Sequence, residues 1–99
     1  MRKLRVSPEA RNDELEILEY IARDNLQAAR RINNLIREKY RSLRDQPYLG
    51  RPRPDLMADA RSLPAGNYAI IYTVSRDEVV ILRVLDQRRD ILPLFDTDL

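Results

Sequence analysis

The sequence predicts an α+β domain: an N-terminal strand, an antiparallel helical hairpin, and a small three- to four-stranded antiparallel sheet on which the hairpin packs. Three observations carry that prediction. Residues 8–44 hold two amphipathic helical patterns, residues 56–86 hold the strand chemistry, and a proline-bearing crossing loop at 45–55 separates them. A tail, 87–99, follows. Ninety-nine residues suffice for one domain with its own core.

Lys3 to Val6 reads as a short edge strand with Leu4 and Val6 on one side. Ser7, Pro8 and Glu9 then spell a helix start: a hydroxyl cap, a proline at the first helical position, an acid in the first turn. Ala10, Leu15, Ile17, Leu18, Tyr20, Ile21 and Ala22 give a broad apolar stripe through about Arg23. This helix is acidic. Asn25 caps a second helix from Leu26, whose Ala28, Ala29, Ile32, Leu35, Ile36, Tyr40 and Leu43 recur at helical spacing before Pro47. The second helix is basic, and so short a link makes the pair antiparallel. Solvated faces on a shared apolar seam account for most of these charges.

Tyr48 and Leu49 anchor the crossing loop, and Leu56 to Leu63 reads as a weak strand. Pro64, Ala65, Gly66 and Asn67 turn the chain into a central hairpin of Tyr68–Val74 and Val79–Leu85, rich in β-branched and aromatic residues. With Arg76 and Asp77 at the centre of its turn, Val74 faces Val79, Tyr72 faces Ile81 and Ile70 faces Arg83. Period two then puts Tyr68, Ile70, Tyr72, Val79, Ile81, Arg83 and Leu85 on one face, and Ala69, Ile71, Thr73, Val80, Leu82 and Val84 on the other. Both faces are largely apolar, and one helical layer covers only one of them. The second face is expected to await a partner, unless Ile91, Leu92, Leu94 and Phe95 of the tail fold back over it.

Composition excludes several chemistries. There is no cysteine and no histidine. Disulfides, thiolate chemistry and the commonest general base and metal ligand are therefore absent, and no cofactor or metal is implied. No stretch approaches the roughly 20 apolar residues that span a bilayer, and the basic start has no apolar run behind it. A soluble, unprocessed, cytoplasmic protein is expected. Net charge is only +2, but the cations are sixteen arginines against two lysines. Arginine favours forked contacts to carboxylate and phosphate, which leaves acidic proteins and nucleic acid both open.

The segments SPEARND, DNLQAARR, PYLGRPRPDL, RSLPAGNYAIIYTV and DEVVILRVLDQRRD, in this order and spacing, resemble the ParE branch of the RelE/ParE toxins of bacterial toxin–antitoxin modules. The resemblance covers almost the whole chain. It departs at Glu14, where family members usually place an apolar residue. It implies a toxin held inactive by a ParD-like antitoxin in a hetero-oligomer, acting on DNA gyrase. The RelE branch instead cleaves messenger RNA in the ribosome, and the resemblance places two cations of that site at Arg61 and Arg83. A ribonuclease also needs an acid and a base, and always-protonated arginine serves poorly as either. The residues Asp86 to Arg89 supply no imidazole or aromatic acid.

A non-enzymatic gyrase inhibitor is therefore expected. The alternatives are a ribosome-dependent endoribonuclease using Arg61 and Arg83, and a non-toxic binding module on the same fold. Candidates for target or antitoxin contact are Arg61, Arg83, Arg88, Arg89, Asp90, Tyr68 and Tyr72. The plain alternatives are that Arg83 pairs with Asp86, Asp90 or an acid on a neighbouring strand, that Asp90 anchors one of Arg88 and Arg89, and that both tyrosines are core. The basic second helix lacks interleaved aromatics, so direct nucleic-acid binding is not expected from sequence.

Overall fold

Ser7 turns the first corner of the chain in the computed structural model, which describes residues 2–88 and 92–95. Strand β1 (Lys3–Val6) ends there and helix α1 (Pro8–Asp24) begins. The Ser7 hydroxyl oxygen accepts the Ala10 amide at 3.0 Å, and Pro8 has no amide to leave unsatisfied. Asn25 serves both helices. Its amide donates to the Ile21 carbonyl, closing α1, while its side chain accepts the Ala28 amide at the start of α2 (Leu26–Asp45). A one-residue link leaves the helices antiparallel, as the sequence implies.

The sheet has five strands in the order β1-β5-β4-β3-β2, with β2 at Arg51–Pro52, β3 at Ala60–Ala65, β4 at Tyr68–Val74 and β5 at Glu78–Asp86. Its β1–β5 pair is parallel and the rest antiparallel. The α+β class with a helical hairpin stands; the sheet is wider than expected and mixed. Strand β2 is two residues long and half proline, below what periodicity can register. The weak strand expected from Leu56 starts only at Ala60, because the Leu56 and Met57 amides return to the Arg53 carbonyl and fold that stretch into a turn. The β3–β4 link is Gly66–Asn67 alone, with Gly66 at φ 62°, a left-handed conformation that glycine takes without a Cβ penalty.

The β4–β5 hairpin keeps Val74 opposite Val79 and Tyr72 opposite Ile81, as expected. Ile70, however, faces Val84 rather than Arg83, because Leu82 is an extra residue between the Tyr72–Ile81 and Ile71–Arg83 pairs. The bulge exchanges the roles of two neighbours. Val84 joins the helix-side core and Leu85 goes to the opposite face, the reverse of the strict alternation. Ser7 holds the bulge in place: its amide donates to the Ile81 carbonyl and its hydroxyl to the Leu82 carbonyl, each at 2.9 Å.

The main core lies between helices and sheet and centres on Ala10, Ile36, Tyr40, Leu43, Leu63, Ile70, Tyr72, Val79, Ile81 and Val84. Burying each large apolar side chain contributes about 1.5–3 kcal/mol. The second sheet face is not open. Leu56, Ala60, Ala69, Ile71 and Leu85 form a buried cluster there, with Leu94 and Phe95 packed against it from a single 3-10 turn, Leu92–Phe95. The expectation of an uncovered sheet face is thus corrected, since the turn after β2 and the 92–95 segment supply the missing cover. Exposed large apolar residues sit instead on helices and loops: Leu15, Tyr20, Leu26, Tyr48, Leu49 and Met57.

Candidate functional site

Asp13 explains where Arg83 goes. It lies one turn into α1, on the side turned to the end of β5, and is buried. Its carboxylate accepts Arg83 through Nε at 2.8 Å and Nη2 at 3.0 Å, and also accepts the Val84 amide at 2.9 Å. This forked bond to Asp13 holds the guanidinium pKa above its ordinary value, against the opposing cost of burial. The acid that pairs Arg83 is therefore on α1, not on a neighbouring strand or after it. Proximity in sequence cannot reveal a partner 70 positions away.

Beside this pair a groove of about 330 Å³ runs between α1 and the ends of β4 and β5. Ile17, Tyr20, Tyr68, Val84 and Arg88 are among its walls. Arg88 lies on the turn after β5 and forks onto Asp86 at 3.0 and 2.7 Å, with its side chain 71% exposed. The bond to Asp86 raises the Arg88 pKa, but a pair this exposed has little energetic weight of its own. Tyr68 is half-buried, and its hydroxyl is pushed up by burial and then by the Asp86 charge. Tyr20, 70% exposed, was not among the residues singled out from sequence. In the helical stripe it is indistinguishable from core. Arg89 and Asp90 lie outside the described residues.

Arg61 belongs to a different neighbourhood. From β3 its Nη1 donates to the Gly50 carbonyl at 2.6 Å and, more weakly, to the Tyr48 carbonyl at 3.4 Å, and its guanidinium lies 4.9 Å from the Tyr48 ring centroid. Tyr72 works on the same loop from below. Fully buried, it donates to the Pro47 carbonyl and accepts the Gly50 amide, each at 2.8 Å. Gly50 has to be glycine for this contact, as a Cβ there would lie 2.6 Å from the Tyr72 oxygen. Tyr72 is thus a clamp on the crossing loop, the core alternative read from sequence. Arg61 and Arg83, expected together in a nuclease, are held by separate elements.

A third polar cluster is internal. Glu14, 4% exposed, accepts Tyr40 Oη at 2.5 Å and Arg37 Nη2 at 2.8 Å, and Arg37 also stacks on the Tyr40 ring. Burial first, and then the bond to Glu14, push the Tyr40 hydroxyl far above its ordinary value. Glu14 is therefore a satisfied interhelical tie. Reading the acids of α1 as a solvated face missed both Asp13 and Glu14. The signal available was their adjacency to the apolar stripe.

Fold and polar architecture together define a small toxin-type α+β domain, a helical hairpin on a mixed sheet without a convergent acid–base site among the described residues. The chain belongs to the ParE toxin family of type II toxin–antitoxin systems, parDE, whose pattern it matches over residues 4–91. A solved structure described as the chromosomal ParDE toxin–antitoxin system from P. aeruginosa is similar to it in fold. The TM-score is 0.75 at 21% identity, and the match covers 87% of this chain and 96% of that one. No curated protein sequence matches this chain.

Proposed function

We propose that this ParE-family toxin acts by binding DNA gyrase, without hydrolytic activity of its own, and that a ParD-like antitoxin neutralises it in the cytoplasm. The observation that carries the non-enzymatic reading is the commitment of both candidate cations. Arg83 is forked onto a buried carboxylate and Arg61 is spent on loop carbonyls. A ribonuclease would need those guanidiniums aimed at a phosphate, together with a proton donor and acceptor that a chain without histidine has to find elsewhere. Among the described residues, no helix is long and apolar enough to cross a membrane.

The contact candidates on this reading are the groove residues Tyr20, Tyr68 and Arg88, with Arg89 and Asp90 following in sequence. Family membership supports an antitoxin partner, and the exposed Leu15, Tyr20 and Leu26 supply apolar surface on the hairpin for one to cover. Purified toxin is expected to inhibit supercoiling and to trap gyrase on cleaved DNA. Unaltered gyrase with no trapped complex would reject the reading. Codon-phased cuts in translated messages, abolished by Arg83→Ala, would establish the ribonuclease alternative instead.

A further inference from the structure

Helix α2 presents a line of arginines to solvent that its own molecule leaves mostly unbalanced. Arg30, Arg37, Arg41 and Arg44 recur at intervals of three, four and seven and are all exposed. At 1.5 Å per residue they form a ridge about 20 Å long, with Arg37, Arg41 and Arg44 about 5–6 Å apart and Arg30 about 10 Å further along the axis. Arg31 stands beside it. Of these five, only Arg37 has an ion-pair partner among the described residues, Glu14. No other acid among the described residues forms an ion pair with the ridge: Asp13 is taken by Arg83 and Glu16 bonds Asn12, while Glu38 and Asp45 of α2 itself lie alongside it.

The ridge does not stop where α2 stops. Arg44 lines an open cleft of about 460 Å³ together with Arg2 from the start of β1 and Arg76 from the β4–β5 turn, with Asp45 and Asp77 as the acids in its wall. Arg2 is aimed there by a 2.8 Å bond to the Ser75 carbonyl and lies 5.6 Å from the ring centroid of the exposed Tyr48, which Arg61 also approaches. Three elements distant in sequence thus extend one helix's charge around the turn end of the sheet. The sequence showed a basic helix without aromatics; the fold adds both the aromatic and two further cations.

We propose that the α2 ridge, with Arg2 and Arg76 at its end, is a binding surface for the phosphate backbone of duplex DNA. Its chemistry fits that occupant better than an acidic peptide. The cations are arginines, which fork onto phosphate, and their line of about 20 Å runs along about six phosphates of one DNA strand at about 3.4 Å each along the axis. Few groups on the ridge read base edges in any pattern, so the contact positions the toxin without choosing sequence. In the gyrase reading this surface holds the toxin on the DNA the enzyme carries. The proposal does not need gyrase, however, and its test leaves gyrase out.

The experiment is fluorescence anisotropy of the full chain with a short labelled duplex, from about 50 to about 200 mM salt. Binding is expected with a logarithmic salt slope of about −3.6 to −5.4, matching four to six neutralised phosphates. Arg41→Glu with Arg44→Glu is expected to weaken it by about tenfold or more and to flatten the slope. The milder pair of glutamine substitutions at the same positions should give an intermediate loss, and circular dichroism verifies that each variant keeps its helices. Arg53→Gln, at a cation already paired to Asp55 in the crossing loop, is expected to bind like the parent. No binding at low salt, a slope shallower than about −1, or unchanged affinity in the folded charge-reversed variant would overturn the proposal. So would equal affinity for polyglutamate, which would assign the ridge to an acidic protein, or light scattering showing a dimer that the charge-reversed variant abolishes, which would assign it to a second copy.

Discussion

Asp13, Glu14 and Tyr72 are the residues whose polar atoms are committed inside the molecule, and each makes a stability prediction. Removing one partner of a buried charge pair leaves the other unpaired, so Asp13→Ala is expected to cost about 3–5 kcal/mol in urea unfolding. The same substitution strands the Val84 amide at the bulge. Glu14→Leu alone strands the Tyr40 hydroxyl and is expected to cost about 1–3 kcal/mol, whereas Glu14→Leu with Tyr40→Phe should recover most of the loss. A double-mutant cycle measures that coupling directly. Recovery in the double variant would show that an apolar pair can fill this interhelical site.

The tyrosines also set an alkaline limit. Tyr40, Tyr72 and Tyr68 all have their pKa raised in the folded state, burial being the first cause in each. A group that keeps its proton longer when folded stabilises the fold fully below the unfolded value of 10.0 and progressively less above it. Stability is therefore expected to fall as pH rises beyond about 10, where the unfolded chain alone loses these protons. Tyr40→Phe should flatten the alkaline slope of the unfolding free energy, whatever it does at neutral pH.

At the scale of elements, what was legible in the sequence was local. Ser7, Pro8 and Asn25 announce helix boundaries because capping acts within one turn, and the Ser75–Glu78 link fixes the near end of the central hairpin because a short turn sets its own register. The Leu82 bulge was not legible, since its cause is a serine 75 positions upstream that satisfies its carbonyl. Beyond the bulge Val84 and Leu85 exchanged faces, while Arg83 still reaches Asp13 on helix α1. Strand β2 escaped notice for the opposite reason: two residues carry no period, and Arg51–Pro52 becomes a strand only because β3 lies alongside. Ser7→Ala loses the helix cap and the bond to the bulge together. It is expected to destabilise the fold by about 1–2 kcal/mol, with hydrogen exchange accelerated in α1 and at the start of the post-bulge segment.

For the whole molecule, the class of fold was legible in the sequence, and the location of the exposed apolar surface was not. The second sheet face is closed by Leu56, Ala60, Leu94 and Phe95, so the argument for a partner no longer rests on an open sheet. It rests on family membership and on the apolar residues left outside, of which Leu15, Tyr20 and Leu26 lie on the hairpin. An antitoxin that covers the hairpin is expected to raise the thermal midpoint in proportion to the logarithm of its concentration above Kd, and Tyr20→Ala should reduce that shift while leaving the midpoint of the toxin alone unchanged. Arg61 and Arg83, named together in the ribonuclease alternative, are claimed by different partners, because a list of cations does not reveal which carboxylate or carbonyl takes each one.

Strand β5 sits between β1 and β4, so the last strand to be synthesised must slot into the middle of a sheet whose first strand was made long before. Until Glu78 to Asp86 have left the ribosome, β1 has no neighbour and the hairpin helices have no complete floor. Such long-range closure raises contact order and slows folding relative to a helical protein of equal size. The nascent chain consequently cannot complete its sheet until those residues have emerged.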